Sequence, residues 1–81
     1  METKFICKAV NLESWVKSAI ISEVLGTKTS CVKLEVRYIE GGVEFPFSQL
    51  YPGEKSAKIS FAKRFHKNVR WTAEVEENAR N

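Results

Sequence analysis

Eighty-one residues with 43% hydrophobic and 28% charged side chains, four glycines and two prolines describe one small folded domain and exclude a disordered tail, a collagen-like chain or a multidomain assembly. Thirteen Lys and Arg against ten Glu give a formal net charge of +3 with the histidine neutral, but the charge is uneven. The stretch Lys55 to Trp71, KSAKISFAKRFHKNVRW, holds six of the basic residues and no acid, leaving seven basic against ten acidic residues elsewhere, a basic stripe on a slightly acidic body.

Lys4 to Val10 (KFICKAV) is β-prone, and its alternation places Phe5, Cys7 and Ala9 on one face with Ile6 and Val10 on the other, as in a strand inside a sheet. Asn11 then suits an N-cap, with Glu13 at the positive end of a helix dipole. Leu12, Trp15, Val16, Ala19, Ile20 and Val24 recur at helical offsets and predict one core-facing stripe that includes Trp15, ended by Gly26 at C′.

Cys31 to Ile39 alternates cleanly, with Val32, Leu34, Val36 and Tyr38 inward and Lys33, Glu35 and Arg37 outward. Gly41-Gly42 predicts a two-residue hairpin loop, which sets Glu40 against Val43, Tyr38 against Phe45 and Val36 against Phe47. In that register Pro46 opposes Arg37 at a pair that exchanges no hydrogen bonds, so its missing N–H lies on the far side and makes 43–47 an edge strand. Pro52-Gly53 reads as the centre of a type II turn.

Ala57, Ile59, Phe61 and Phe65 alternate, as do Val69, Trp71, Ala73 and Val75, which predicts a second hairpin with the loop His66-Lys67-Asn68. The expected class is α+β: a single small domain over 1–76, with one helix in the N-terminal half packed on a mainly antiparallel twisted sheet or partly closed barrel, in the order β-α-β-β-β-β. Residues 77–81 are expected to be a frayed tail.

The chain has no Asp, one His, no Gly-rich phosphate loop and no metal-ligand spacing, so no enzymatic activity, catalytic residue, cofactor, metal or small-molecule substrate is expected. Glu40 and Glu44 flank the Gly-Gly loop as a solvated hairpin end. Cys7 and Cys31 read as small hydrophobes in a reducing compartment, with a single bridge between them as the alternative. No apolar leader or run of roughly 18 apolar residues is present, so the reading is a cytoplasmic protein without a membrane partner.

The basic stripe is where function is expected. On the second hairpin Lys58, Arg64 and Arg70 point outward, and Arg64 opposes Arg70, a like-charged pair that a polyanion would relieve. His66 and Lys67 extend the positive end, and Lys55 joins it from the preceding turn. Lys63 falls inward beside Phe61, Phe65 and Trp71, to be reconciled by a bulge, a snorkelling stem or a cation–π contact with Trp71. A bulge would expose Phe65 for stacking on bases.

The expected function is a small non-enzymatic binding module that contacts nucleic acid phosphates. Its site residues are Lys58, Lys63, Arg64, Phe65, His66, Lys67, Arg70 and Trp71. The alternative is a protein-interaction module, an inhibitor or adaptor, that docks through the same hairpin or by strand pairing near 43–47, a homodimer through that edge included. A solvated face that keeps edge strands from aggregating is the plainest account of the same charges.

Overall fold

A computed structural model describes residues 2–26 and 31–72, and these residues form five strands and one helix. The strands are β1 (Thr3–Ala9), β2 (Val16–Val24), β3 (Val32–Glu40), β4 (Val43–Tyr51) and β5 (Trp71–Thr72), and helix α1 (Glu54–Arg64) separates the last two. They make an open antiparallel sheet in the order β4-β3-β2-β1-β5, with α1 packed across one face. The class is α+β in a single domain, but the helix follows β4 and not β1. The expected boundary at 76 and the tail 77–81 lie outside the described residues.

The β3–β4 hairpin forms in the expected register, with Glu40 opposite Val43, Tyr38 opposite Phe45, Val36 opposite Phe47 and Arg37 opposite Pro46. Gly41 and Gly42 both take positive φ, 59° and 78°, as a tight hairpin loop demands. β4 is an edge strand of the sheet.

Residues 12–25 are not a helix. Val16, Ile20, Ile21 and Val24 are β-branched residues, whose χ1 freedom a helix would restrict, and they lie in β2 between two partner strands. Their helix-like spacing comes from a bulge. The β2–β3 register shifts between Val16 and Ser18, so Lys17 is the extra residue, and Val16 turns into the core with Ala19 and Ile21. Asn11, expected as an N-cap, instead receives the backbone N–H of Arg70 on Oδ1 at 2.5 Å and donates from Nδ2 to the carbonyl of Asn68 at 2.9 Å. Gly26 takes positive φ beyond the end of a strand, not of a helix.

A second bulge, between Phe5 and Cys7 in β1, corrects the face assigned to Phe5. Phe5 pairs with Ser22 and Cys7 with the next residue back, Ile21, so the two lie on opposite faces. Cys7 and Ala9 point into the core.

The expected second hairpin is not formed, because residues 54–64 are helical; Ala73 and Val75 of its expected last strand lie outside the described residues. Glu, Lys, Ala and Arg dominate EKSAKISFAKR and Ile59 is its one β-branched residue, a composition that favours a helix. Glu54 occupies the first turn and Lys63 and Arg64 the last, matching the dipole. Gly53 is the N-cap at φ −167°, which rules out the expected type II turn, since that turn needs positive φ there. The apparent alternation is broken by burial: Ala57 and Phe61, four apart, are fully buried, while Ile59 is 48% exposed.

Phe61 joins the layers. It packs with Ala57 onto Cys7, Ala9, Ile21, Leu34 and Val36 of the sheet, and burial of its ring contributes about 2–3 kcal/mol. Around it Trp15, Tyr38, Phe47, Phe65 and Trp71 pack against the core as half-buried rings. Cys7 and Cys31 are free thiols, not a bridge.

Candidate nucleic-acid interface

The basic segment runs along α1 and the turn that returns the chain to β5, so its side chains follow a helical and not a strand period. Lys55, Ile59 and Lys63 fall at i, i+4 and i+8, one stripe, and all three are exposed. Arg64, one residue on, reaches toward β4, its guanidinium carbon over the Phe47 ring at 5.1 Å from the centroid. Lys67 and Arg70 are exposed in the turn. Arg64 and Arg70 do not oppose each other across a ladder: one ends α1, the other precedes β5. The like-charged pair is therefore not a feature of the fold.

Four of the expected site residues serve structure. Phe65 is the hub of an aromatic cluster, with ring centroids 5.3–5.9 Å from Phe61, Phe47, Tyr38 and Trp15. Trp71 pairs with Ala9 in the sheet and meets Phe61 edge-on at 5.3 Å. His66 places Nε2 3.1 Å from a Glu13 oxygen with only 13% of its side chain exposed, and the other Glu13 oxygen accepts from Trp15 Nε1 at 3.3 Å. Lys58 is held by Glu54 at 2.6 Å, an i,i+4 pair. It is also Lys58, not Lys63, that lies over Trp71, 5.9 Å from the ring centroid.

Lys63 raises no conflict, because the helix carries it outward. It lines an open groove of about 420 Å³ between α1 and β4, together with Tyr51, Ser56, Ile59, Ser60 and Arg64. A 2.6 Å hydrogen bond between Tyr51 Oη and Ser60 Oγ ties the helix to the strand beside this groove.

The charges differ in how they are satisfied. On β3, Lys33 pairs with Glu35 at 3.7 Å and Arg37 with Glu44 at 2.6 Å. Among the described residues no carboxylate forms an ion pair with Lys55, Lys63, Arg64, Lys67 or Arg70. These cations are thus exposed charges without a carboxylate partner among the described residues.

Next to them stands an aromatic shelf for which residues 55–71 held no signal. Val43, Phe45 and Phe47 project from the helix-side face of β4; Val43 is 54% and Phe45 41% exposed. Tyr38 stacks against Phe45 with centroids 5.8 Å apart and planes at 29°. The signal available in the sequence was the alternation Val43-Phe45-Phe47 on an edge strand, where no further strand shields the outer side.

Elsewhere the inventory is thin. Burial pushes the Cys7 thiol up, with Lys58 opposing and Glu54 adding to the effect, so it stays protonated and inert. Among the described residues no three His, Cys, Asp or Glu side chains cluster as a metal site, and no helix is long and apolar enough to cross a membrane. Comparison with known proteins finds no family model, no curated protein and no solved structure that matches this chain.

Proposed function

We propose that this protein is a small non-enzymatic module that binds nucleic acid phosphates through the outer side of α1 and the turn after it, with Lys55, Lys63, Arg64 and Lys67 as the contacting cations. One observation carries this reading. The exposed cations of the helix and turn have no carboxylate partner among the described residues, whereas those of β3 are each neutralised by a Glu. A row of uncompensated cations along one helix is the electrostatic footprint of a polyanion. Arg64 adds geometry: a guanidinium lying over a ring keeps its in-plane N–H donors available for a phosphate. The expected set changes accordingly: Lys58, Phe65, His66 and Trp71 support the surface and do not form it, Arg70, whose backbone is tied to Asn11 and Val10 beside β5, is left out, and Lys55 joins from the first turn of α1.

Fluorescence anisotropy with labelled oligonucleotides at several salt concentrations tests the proposal. Four phosphate contacts on a single strand give a slope of log K against log salt near −3. Lys63→Glu/Arg64→Glu is expected to halve that slope and abolish binding at moderate salt. A folded wild-type protein that binds no oligonucleotide at low salt would exclude the reading.

A second reading rests on the edge strand. β4 is outermost and carries Val43, Phe45 and Leu50 at 54%, 41% and 50% exposure, the kind of edge to which a protein partner or a second copy adds a strand. Pro46 removes one donor from that edge. Concentration-dependent sedimentation that reveals a dimer would favour this reading.

A further inference from the structure

We infer that the shelf formed by Phe45 and Phe47 stacks an unpaired nucleobase, so that the nucleic acid bound by the basic helix is single-stranded. The inference rests on the phosphate-binding reading above and adds the class of strand and the residue that selects it.

Three observations converge on this shelf. First, Phe45 is held as a platform: Tyr38 lies against one side of its ring at 5.8 Å and 29°, and Tyr38 is itself wedged by Phe65 and Trp15 at 5.4 and 6.4 Å. A ring fixed in this way loses little freedom when a base is laid on it. Second, β4 is the outermost strand, so among the described residues no sheet neighbour covers the other side of Phe45. Phe45 is 41% exposed, which leaves apolar surface free for a flat partner to cover. Third, the charge beside the shelf is complementary to a nucleotide. Arg64 lies over Phe47, two residues from Phe45 along the strand and therefore about 7 Å away. Lys63 and the groove residues Ser56 and Ser60 continue from there along α1. A base on Phe45 with its phosphate at Arg64 matches the spacing of base and backbone within one nucleotide, and the next phosphates run toward Lys63. Among the described residues, Glu40 lies opposite Val43 at the hairpin tip, at the end away from Arg64, and Glu44, next to Phe45 in β4, is paired with Arg37 at 2.6 Å.

A duplex cannot use this arrangement. Its bases are stacked on each other and its backbone alone would reach the helix, so the aromatic shelf contributes only to an unpaired strand. An acidic peptide would satisfy the cations but supplies no flat π-face for the ring.

The test compares an oligothymidine of about 12 nucleotides, within the site size of small single-strand binders, with a duplex of equal length. Both are measured by anisotropy against wild type, Phe45→Leu, Phe45→Trp and Lys63→Glu/Arg64→Glu. Phe45→Leu keeps apolar bulk on a half-exposed site and so keeps the fold, which circular dichroism verifies. It is expected to weaken oligothymidine binding about ten-fold and to leave duplex binding and the salt slope unchanged. Phe45→Trp is expected to retain or improve single-strand affinity, with quenching of the new indole fluorescence on binding.

Equal losses on both oligonucleotides, or no loss on either, would overturn the stacking role while leaving the phosphate reading intact. A wild-type protein that binds neither would overturn both. A wild-type dimer that Phe45→Leu dissociates would assign the shelf to a second copy of the chain and likewise overturn it.

Discussion

The β3–β4 hairpin, with Lys33 and Arg37, and the α1 segment both bring cations to the surface, yet their chemistry differs. On the hairpin, Lys33 and Arg37 each meet a carboxylate from the same element or its partner strand. On the helix, Lys58 alone does so among the described residues, and it is the cation near Trp71. The difference follows from composition: Glu35, Glu40 and Glu44 are interleaved with the hairpin cations, while Glu54 is the only acid in α1 and is consumed by Lys58. Net charge therefore understates what a partner would meet. A value of +3 conceals one region whose field is cancelled within a few ångströms and another whose field is not.

The contrast depends on the helix being fixed to the sheet, and Phe61 is where it is fixed. Phe61→Ala removes a fully buried ring and is expected to destabilise the fold by about 3–5 kcal/mol. For a chain this small that is most of the stability, so urea titration followed by circular dichroism is expected to show a protein largely unfolded at 25 °C. A cooperative transition near that of wild type would mean that the two layers hold together by other contacts.

A smaller effect is expected where the turn after the helix is tethered. Asn11 bonds both Arg70 and Asn68 through its side chain, and Val10 N–H donates to the Arg70 carbonyl at 2.9 Å, so the turn acts as a continuation of the β1–β5 pairing. Asn11→Ala loses both side-chain bonds at a cost of about 1–2 kcal/mol, and hydrogen exchange at the Arg70 amide is expected to accelerate. Unchanged protection at that amide would count against the tether.

Cys7 gives the smallest effect and one that depends on pH. Burial favours its neutral thiol, with Glu54 reinforcing and Lys58 opposing, so the folded chain holds the proton to higher pH than the unfolded chain does. Its contribution to stability is complete below the ordinary thiol pKa of about 8.5 and declines as pH rises from there toward the folded value. Alkylation at neutral pH is accordingly expected to spare Cys7 in the native protein and label it after unfolding, which peptide mass mapping can read. Native labelling of Cys7 at the unfolded rate would contradict its burial.

How much of this was legible in the sequence depended on whether one period fitted each segment. The hairpin was readable because Gly41-Gly42 between two alternating runs permits one register, and that register places Pro46 at an edge. Residues 16–24 were not, because the bulge at Lys17 brings Val16 onto the face of Ala19 and Ile21, and a bulged strand imitates helical offsets. The counter-signal was β-branching, four Val or Ile in nine residues. In α1 the error ran the other way: Ala57, Ile59 and Phe61 alternate by accident, and summed helix propensity was the better guide. The basic segment itself was visible as charge. Its aromatic neighbours were not, since Phe47 meets Arg64 only once α1 folds back over β4, a juxtaposition that no local pattern encodes.

The most direct test of the unequal neutralisation is a pair of charge reversals that change net charge identically. Lys33→Glu/Arg37→Glu acts on the hairpin and Lys63→Glu/Arg64→Glu on the helix, both assayed by anisotropy with the same single-stranded oligonucleotide across a salt series. The account predicts that the helix variant loses binding and about half the salt slope, while the hairpin variant stays within a few-fold of wild type. Equal losses from the two variants would show that only overall charge matters and would contradict a localised interface on α1.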